Sequence, residues 1–270
     1  MSSRIRVAAA LLVAAALPFS LSACGGGSSS DSSKVTVGVK IDQPGLGLKN
    51  PDGTFSGFDV DVATFVAEQL GYKKEDIEFK ESPSGQRETL IESGQVDYIV
   101  ATYSITDARK EKVDFAGPYL ITGQSLLVKA DNTDITGPES LQNSKKLCSV
   151  TGSTPAQRIK DKYPGVQLQQ YDTYSACIEA LKTGAIDAVT TDEVILAGYA
   201  AQNPGTFKVV GKPFSEERYG IGLKKGDTEL RTKINDAITK MEADGAWKAA
   251  FEKNLGPAGI PTPTPPTVDK

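Results

Sequence analysis

From Lys34 onward, short apolar runs alternate with longer stretches in which apolar residues return every three or four positions. Val35-Thr-Val-Gly-Val39 has the apolar density of a buried strand. Asp59 to Leu70 carries Val62, Phe65, Val66 and Leu70 at helical spacing, and Gly71 follows as a stop signal. Ile77-Glu-Phe79 predicts a short strand, and Gln86 to Ser93 a helix halted by Gly94. Tyr98-Ile-Val-Ala101 predicts a further strand. The order β-α-β-α-β predicts an α/β fold, with a mostly parallel sheet and helices on its faces.

A weak internal repeat adds to this pattern. Ser93-Gly94-Gln95-Val96-Asp97 is echoed 90 residues later by Thr183-Gly184-Ala185-Ile186-Asp187. The preceding helices align as Arg87-Glu-Thr-Leu-Ile-Glu and Cys177-Ile-Glu-Ala-Leu-Lys. The same offset sets the loop at Thr102 against the loop at Asp192. Two similar α/β lobes are therefore expected. Glu229 to Leu255 predicts one or two amphipathic helices marked by Ile234, Ile238, Met241 and Trp247. Five of the 15 prolines fall within residues 257–270, and Pro261-Thr-Pro-Thr-Pro-Pro266 predicts a disordered or polyproline tail.

The N-terminus reads as an address. Arg4 and Arg6 precede an uncharged apolar run from Val7 to Leu21, the layout of a signal peptide. The run is too short and too alanine-rich for a membrane span, and no later stretch is long and apolar enough. Leu21-Ser22-Ala23-Cys24 resembles the lipobox of bacterial lipoproteins, which implies cleavage after residue 23 and lipidation of Cys24. Ordinary cleavage near Ala23 is the alternative. Gly25 to Ser33 has the composition of a flexible tether. Two further cysteines remain, Cys148 and Cys177, an even pair in an exported chain, and a disulfide between them is expected. Two buried free thiols are the alternative.

Composition narrows the chemistry. Of 270 residues, 39% are apolar and 24% charged, which suits a folded protein of about two domains. Net charge is −4, and loss of the leader's two arginines makes it −6. No basic surplus exists to hold a phosphate backbone, so nucleic acid is not an expected partner. Histidine is absent. That removes Ser-His-Asp and Cys-His nucleophile systems and histidine metal sites, and no cofactor or metal is expected.

Gly57-Phe58-Asp59-Val60-Asp61-Val62, followed by Val66, Ala67 and Leu70, resembles the signature of the family 3 extracellular solute-binding proteins. These are the polar amino-acid binding proteins of ABC importers. Ser104-Ile105-Thr106 with Arg109, Asp114-Phe115 before Pro118-Tyr119, Gly152-Ser153-Thr154 and Asp192-Glu193 extend the resemblance in order from about Val35 to Leu255. The resemblance is nearest to the glutamate-binding lipoproteins. It implies the type II periplasmic-binding-protein-like fold, two α/β lobes joined by a two-strand hinge. Residues 34–127 plus 218–256 would form a discontinuous lobe 1 and residues 128–217 lobe 2. Residues 1–23 would be the leader, 24–33 the anchored linker and 257–270 the tail.

An α-amino acid brings one carboxylate and one ammonium, and burying either alone is costly. On its own context Arg109 reads as a surface arginine beside Asp107 or Glu111. The resemblance instead assigns it to the ligand's α-carboxylate, where a guanidinium grips with two hydrogen bonds, beside Thr102 and Ser104. Thr151, Ser153 and Thr154 would reach the same carboxylate from lobe 2, although Ser153 or Thr154 serves equally as a helix cap. Asp192 would take the α-ammonium, with capping as the alternative. Ser84 and Arg87 occupy positions that meet a second carboxylate in relatives binding glutamate or aspartate. Lys40 and Tyr174 match further polar positions, while Arg87 and Lys40 also read as solvated side chains. Many members carry an aromatic lid after the first strand; here the loop is Gln43-Pro-Gly-Leu-Gly-Leu48.

The function expected is capture of glutamate, or aspartate, by hinge closure, and delivery to an ABC permease by a lipid-anchored monomer outside the cytoplasmic membrane. Glutamine or asparagine binding is the alternative within the family. A cyclohexadienyl-dehydratase-like enzyme is the alternative outside transport, needing an acid such as Glu193 or Glu88 with a raised pKa.

Overall fold

The computed structural model describes residues 34–142 and 144–269. The leader, the tether and Cys24 lie outside the described residues.

The first lobe opens with β1 (Val35–Val39), β2 (Asp42–Gln43), β3 (Gly47–Lys49), β4 (Phe55–Ser56), α1 (Phe58–Gln69), β5 (Ile77–Glu81), α2 (Arg87–Glu92), β6 (Tyr98–Ile99), α3 (Asp107–Lys110) and β7 (Val113–Thr122). The second holds β8 (Gln124–Lys129), β9 (Lys146–Val150), α4 (Thr154–Lys162), β10 (Gln167–Tyr171), α5 (Tyr174–Thr183), β11 (Ala188–Asp192), α6 (Glu193–Gln202) and β12 (Phe207–Val210). The chain then returns through β13 (Glu217–Lys224), α7 (Thr228–Ala243) and α8 (Ala246–Leu255). Gly245, with φ of 81°, separates the last two helices, since a left-handed residue cannot continue a helix.

Two five-stranded sheets result, ordered β5-β1-β6-β13-β7 and β10-β9-β11-β8-β12. In each, the first three strands are parallel. The fourth strand runs antiparallel to both of its neighbours, so each sheet is mixed, with four of its five strands pointing the same way. The antiparallel fourth strand follows directly after a passage between sheets: β8 after Gly123, and β13 after residues 211–216. Because β8 pairs with β11 and β12, residues 124–127 belong to the second sheet, several residues earlier than the Val128 boundary expected from the sequence.

The core of the first lobe is aromatic. Phe58 meets Trp247 and Phe251 edge-on at 5.5 and 5.6 Å, and Trp247 stacks on Phe251. The Trp247 ring N–H donates to the Tyr119 carbonyl at 2.7 Å, which satisfies the buried indole. In the second lobe a disulfide joins Cys148 of β9 to Cys177 of α5, with Cα atoms 5.7 Å apart. The proline-rich end is not free, contrary to the disorder its composition suggests. Ile260 and Val268 pack on the core. The Asp269 N–H donates to Gly117 O, its carbonyl accepts from Asn235, and its carboxylate pairs with Arg218 at 2.7 Å. These contacts outweigh composition because each ties the chain end to an ordered strand or helix.

Candidate functional site

Parallel strands end with their carbonyl edges aimed the same way, so the loops beyond them gather at one place. β5, β6, β9, β10 and β11 all run towards the seam between the lobes. Ser84, Thr102 and Ser153 lie in the loops after β5, β6 and β9, Tyr174 opens the helix after β10, and Asp192 ends β11. Together with Arg87 and Arg109, these residues line a small, tight space between the lobes. Thr154 lines it too.

Arg87 opens α2 and is only 2% exposed. Its Nε lies 3.5 Å from Ser82 O, and among the described residues no carboxylate pairs with it. Burial, and then the nearby Arg109 charge, weigh against its ionised form and lower its pKa. A buried guanidinium without an anion is costly, so this position asks for a carboxylate from outside the chain.

Arg109 is buried and faces neither Asp107 nor Glu111. Its Nη1 donates to Ser104 O at 2.7 Å and its Nη2 to Gly152 O at 3.1 Å, bridging the two lobes. Its Nε sits 3.4 Å from Glu88. A guanidinium on the cavity wall is the fork-shaped donor that suits a carboxylate.

Asp192 stands at the N-cap of α6 yet makes no capping bond. Its Oδ2 accepts from the Tyr219 hydroxyl at 2.6 Å, while Oδ1 is buried with no hydrogen-bond partner among the described residues. Burial, and then the Glu217 charge, push its pKa up to about 7. An ammonium against Oδ1 would relieve both penalties. With two guanidiniums and one carboxylate, the lining carries a surplus positive charge.

Hydroxyls complete the wall. Thr102 adopts φ of 47°, unusual for a β-branched residue. Its N–H donates to the buried Asp59 at 2.7 Å and its hydroxyl to Gln43 Oε1 at 3.1 Å, which hold this strained turn in place. Burial lifts Asp59 to about 6, with Tyr119 and the Thr102 N–H pulling the other way. Ser153 caps α4 by accepting from the Ala156 N–H at 3.1 Å. Thr154 donates to the buried Glu217 at 2.9 Å, and Glu217 also pairs with Arg158. Burial raises the Tyr174 phenol to about 12.

Eight of the eleven expected ligand residues thus line the cavity. Three do not. Lys40 is buried but sits 3.7 Å from Asp42, and burial lowers its pKa. Ser104 stands behind the wall, its hydroxyl 3.2 Å from that of Thr154. Thr151 is exposed and turned towards Tyr171. Sequence reasoning missed Thr191, Pro155 and Ile195, which also line the space. The Thr191 hydroxyl is buried without a hydrogen-bond partner among the described residues. The strand-end position just before Asp192 is the signal that points to it. Gln43, whose Nε2 is likewise unpartnered, was hidden in a loop notable only for lacking an aromatic residue. Within that loop, Leu46 is buried in the first lobe's core, and Gly198 of α6 packs on Pro44.

Fold and cavity together define a two-lobed solute-binding protein. The chain belongs to the bacterial extracellular solute-binding proteins, family 3, whose model matches residues 35–257. It is 51% identical over 267 residues to the glutamate-binding protein GluB of Corynebacterium efficiens, covering 93% of this chain and 91% of that one. It is 40% identical over 224 residues to the ABC transporter glutamine-binding protein GlnH of Bacillus subtilis, covering 83% and 81%. Among solved structures, an ancestral arginine-binding protein bound to glutamine matches with a TM-score of 0.78 at 38% identity, covering 83% of this chain and 98% of that one.

Proposed function

We propose that this protein captures L-glutamate, and aspartate more weakly, and delivers it to an ABC importer. The observation that carries the reading is Arg87, a buried guanidinium on the cavity wall with no carboxylate of its own. In this reading Arg109 and the start of α4 hold the α-carboxylate. Asp192 Oδ1 takes the ammonium, and Arg87 with Ser84 takes the side-chain carboxylate. A ligand with two carboxylates and one ammonium cancels the surplus charge of the lining. The name of the half-identical corynebacterial relative agrees with this ligand.

Closure is assigned to rotation about the two passages, at Gly123 and at residues 211–216. Ligand favours the closed state because only there do both lobes touch it. Cleavage after Ala23 and a lipid on Cys24 would keep the protein as a monomer at the outer face of the cytoplasmic membrane, within reach of the permease. An enzymatic role draws no support from Glu88 or Glu193, neither of which lines the cavity.

Glutamine is the second reading, favoured by the GlnH relative. Calorimetry separates the two. Glutamate is expected to bind at least about tenfold tighter than glutamine, because a neutral amide leaves Arg87 without a counter-charge. Arg87→Ala is expected to erase most of that gap. Equal affinities in the parent protein, or a gap that survives the substitution, would defeat the assignment.

A further inference from the structure

Tyr103 lies between Thr102 and Ser104. Its ring is wholly buried. The guanidinium carbons of Arg87 and Arg109 each sit 4.9 Å from the ring centroid. One aromatic face system therefore holds both cations, and they stand no more than twice that distance apart. Cations are drawn to the electron-rich face of an aromatic ring, while like charges repel one another. Attraction to a common ring opposes that repulsion and leaves each guanidinium a preferred place.

The ring is itself fixed. Its hydroxyl donates to Glu88 at 2.9 Å, and Glu88 lies 3.4 Å from Arg109 Nε. Phe115 meets it edge-on at 4.8 Å. Behind it stands Gly222 of β13, where a Cβ would fall 2.5 Å from a ring carbon. The ring is thus pressed against bare backbone and cannot retreat.

We propose that Tyr103 is a spacer that sets the separation of the two guanidiniums, and so the length of the dicarboxylic amino acid the pocket accepts. It is a positioning residue: it acts through Arg87 and Arg109 and does not line the cavity. The inference rests on the reading that Arg109 and Arg87 take the two carboxylates of one ligand.

The test is a chain-length series titrated calorimetrically into the intact protein: aspartate, glutamate and 2-aminoadipate, with one, two and three methylenes. A fixed separation gives a peaked profile, with glutamate at least about tenfold tighter than either neighbour. Tyr103→Met replaces the ring with a flexible side chain and is expected to flatten the profile to within about threefold. Tyr103→Phe keeps the ring and is expected to keep the peak. A flat profile in the parent overturns the spacer, as does a peak that survives in Tyr103→Met. A profile flattened equally by Tyr103→Phe also overturns it, since the hydroxyl rather than the ring would then be responsible. Failure of the parent to bind any of the three overturns the pocket reading together with the spacer. Should Tyr103→Met not fold, the parent profile and Tyr103→Phe still decide.

Discussion

In the proposed site, Asp192 would couple ligand capture to pH through a single carboxylate. Its folded pKa of about 7 lies well above that of an unfolded aspartate, near 3.9. Between those values the folded chain holds a proton that the unfolded chain has lost. Stability of the ligand-free protein therefore falls as pH rises through that window. An ammonium favours the ionised form, so binding below about pH 7 must expel the proton. Affinity is expected to fall as pH drops, approaching about tenfold per unit well below pH 7. Arg109, Arg158, Glu217 and Tyr219 face the group. Calorimetry at about pH 5.5 and about pH 7.5, in buffers of different ionisation heat, reads the released proton directly. Asp192→Asn should bind every amino acid weakly and lose the trend; Asp59, unchanged in that variant, serves as the control for other buried acids. A pH-independent affinity in the parent would remove Asp192 from the ammonium site. Arg87, Arg109 and Asp192 are pointed out by the family resemblance rather than by their own context, which reads as surface or capping residues, and the structure places all three on the cavity wall. Lys40 misleads because no spacing shows that Asp42, two residues on, folds back onto its ammonium. Thr151 is exposed and directed towards Tyr171, a placement that no local spacing reveals. Tyr103 and Thr191 carry no charge, and only their placement in space marks them.

At the scale of elements, the repeat has a physical content. Asp97 exchanges two bonds with Thr36 of β1: its N–H donates to the Thr36 carbonyl, and its carboxylate accepts from the Thr36 N–H at 2.7 Å. Asp187 does the same with Lys146 of β9, also at 2.7 Å. Each aspartate locks the end of a helix to the sheet, so the repeated five residues build the same corner twice. That is why Thr102 and Asp192, at a common offset, reach one cavity from opposite lobes. Helices and parallel strands were legible because their periodicity is local. The antiparallel places of β8 and β13 were not, because each is set by a partner strand far away in the chain. The tail was misread for the same reason: its tethers, Gly117, Arg218 and Asn235, are distant in sequence. The disulfide closes a separation of 29 residues between β9 and α5. A loop of this size predicts a loss of about 3–4 kcal/mol when Cys148→Ser and Cys177→Ser are combined, if the unfolded chain is otherwise unchanged. Urea unfolding of the parent and double variant measures it. A loss under about 1 kcal/mol would mean that packing around α5, rather than the crosslink, holds this lobe together.

At the scale of the molecule, an acidic protein of net charge −4 encloses a cavity lined by surplus positive charge, and closure makes that arrangement effective by excluding water. The lobes meet on both sides of the cavity. On one side, Asp42 accepts from the Ser175 N–H at 3.2 Å, and the Tyr199 hydroxyl donates to the Asp42 carbonyl. On the other, Gly152 of the second lobe touches Gly85 of the first. A Cβ built on Gly152 would fall 2.6 Å from Gly85 Cα and 2.8 Å from its nitrogen, both rigid backbone atoms. A Cβ on Gly85 would meet only the Thr151 carbonyl at 3.7 Å, an ordinary contact. The two glycines therefore make a matched pair. Gly152→Ala carries a left-handed strain of about 1–2 kcal/mol in any conformation, but its collision with Gly85 exists only when the lobes are shut. Its glutamate affinity is expected to drop at least about tenfold, because the closed state loses its advantage over the open one. Gly85→Ala should bind within about threefold of the parent. Small-angle scattering supplies the conformational readout, since the parent and Gly85→Ala should become more compact on adding glutamate while Gly152→Ala should not. A Gly152→Ala protein that compacts and binds like the parent would show that the lobes need not meet at this seam for capture.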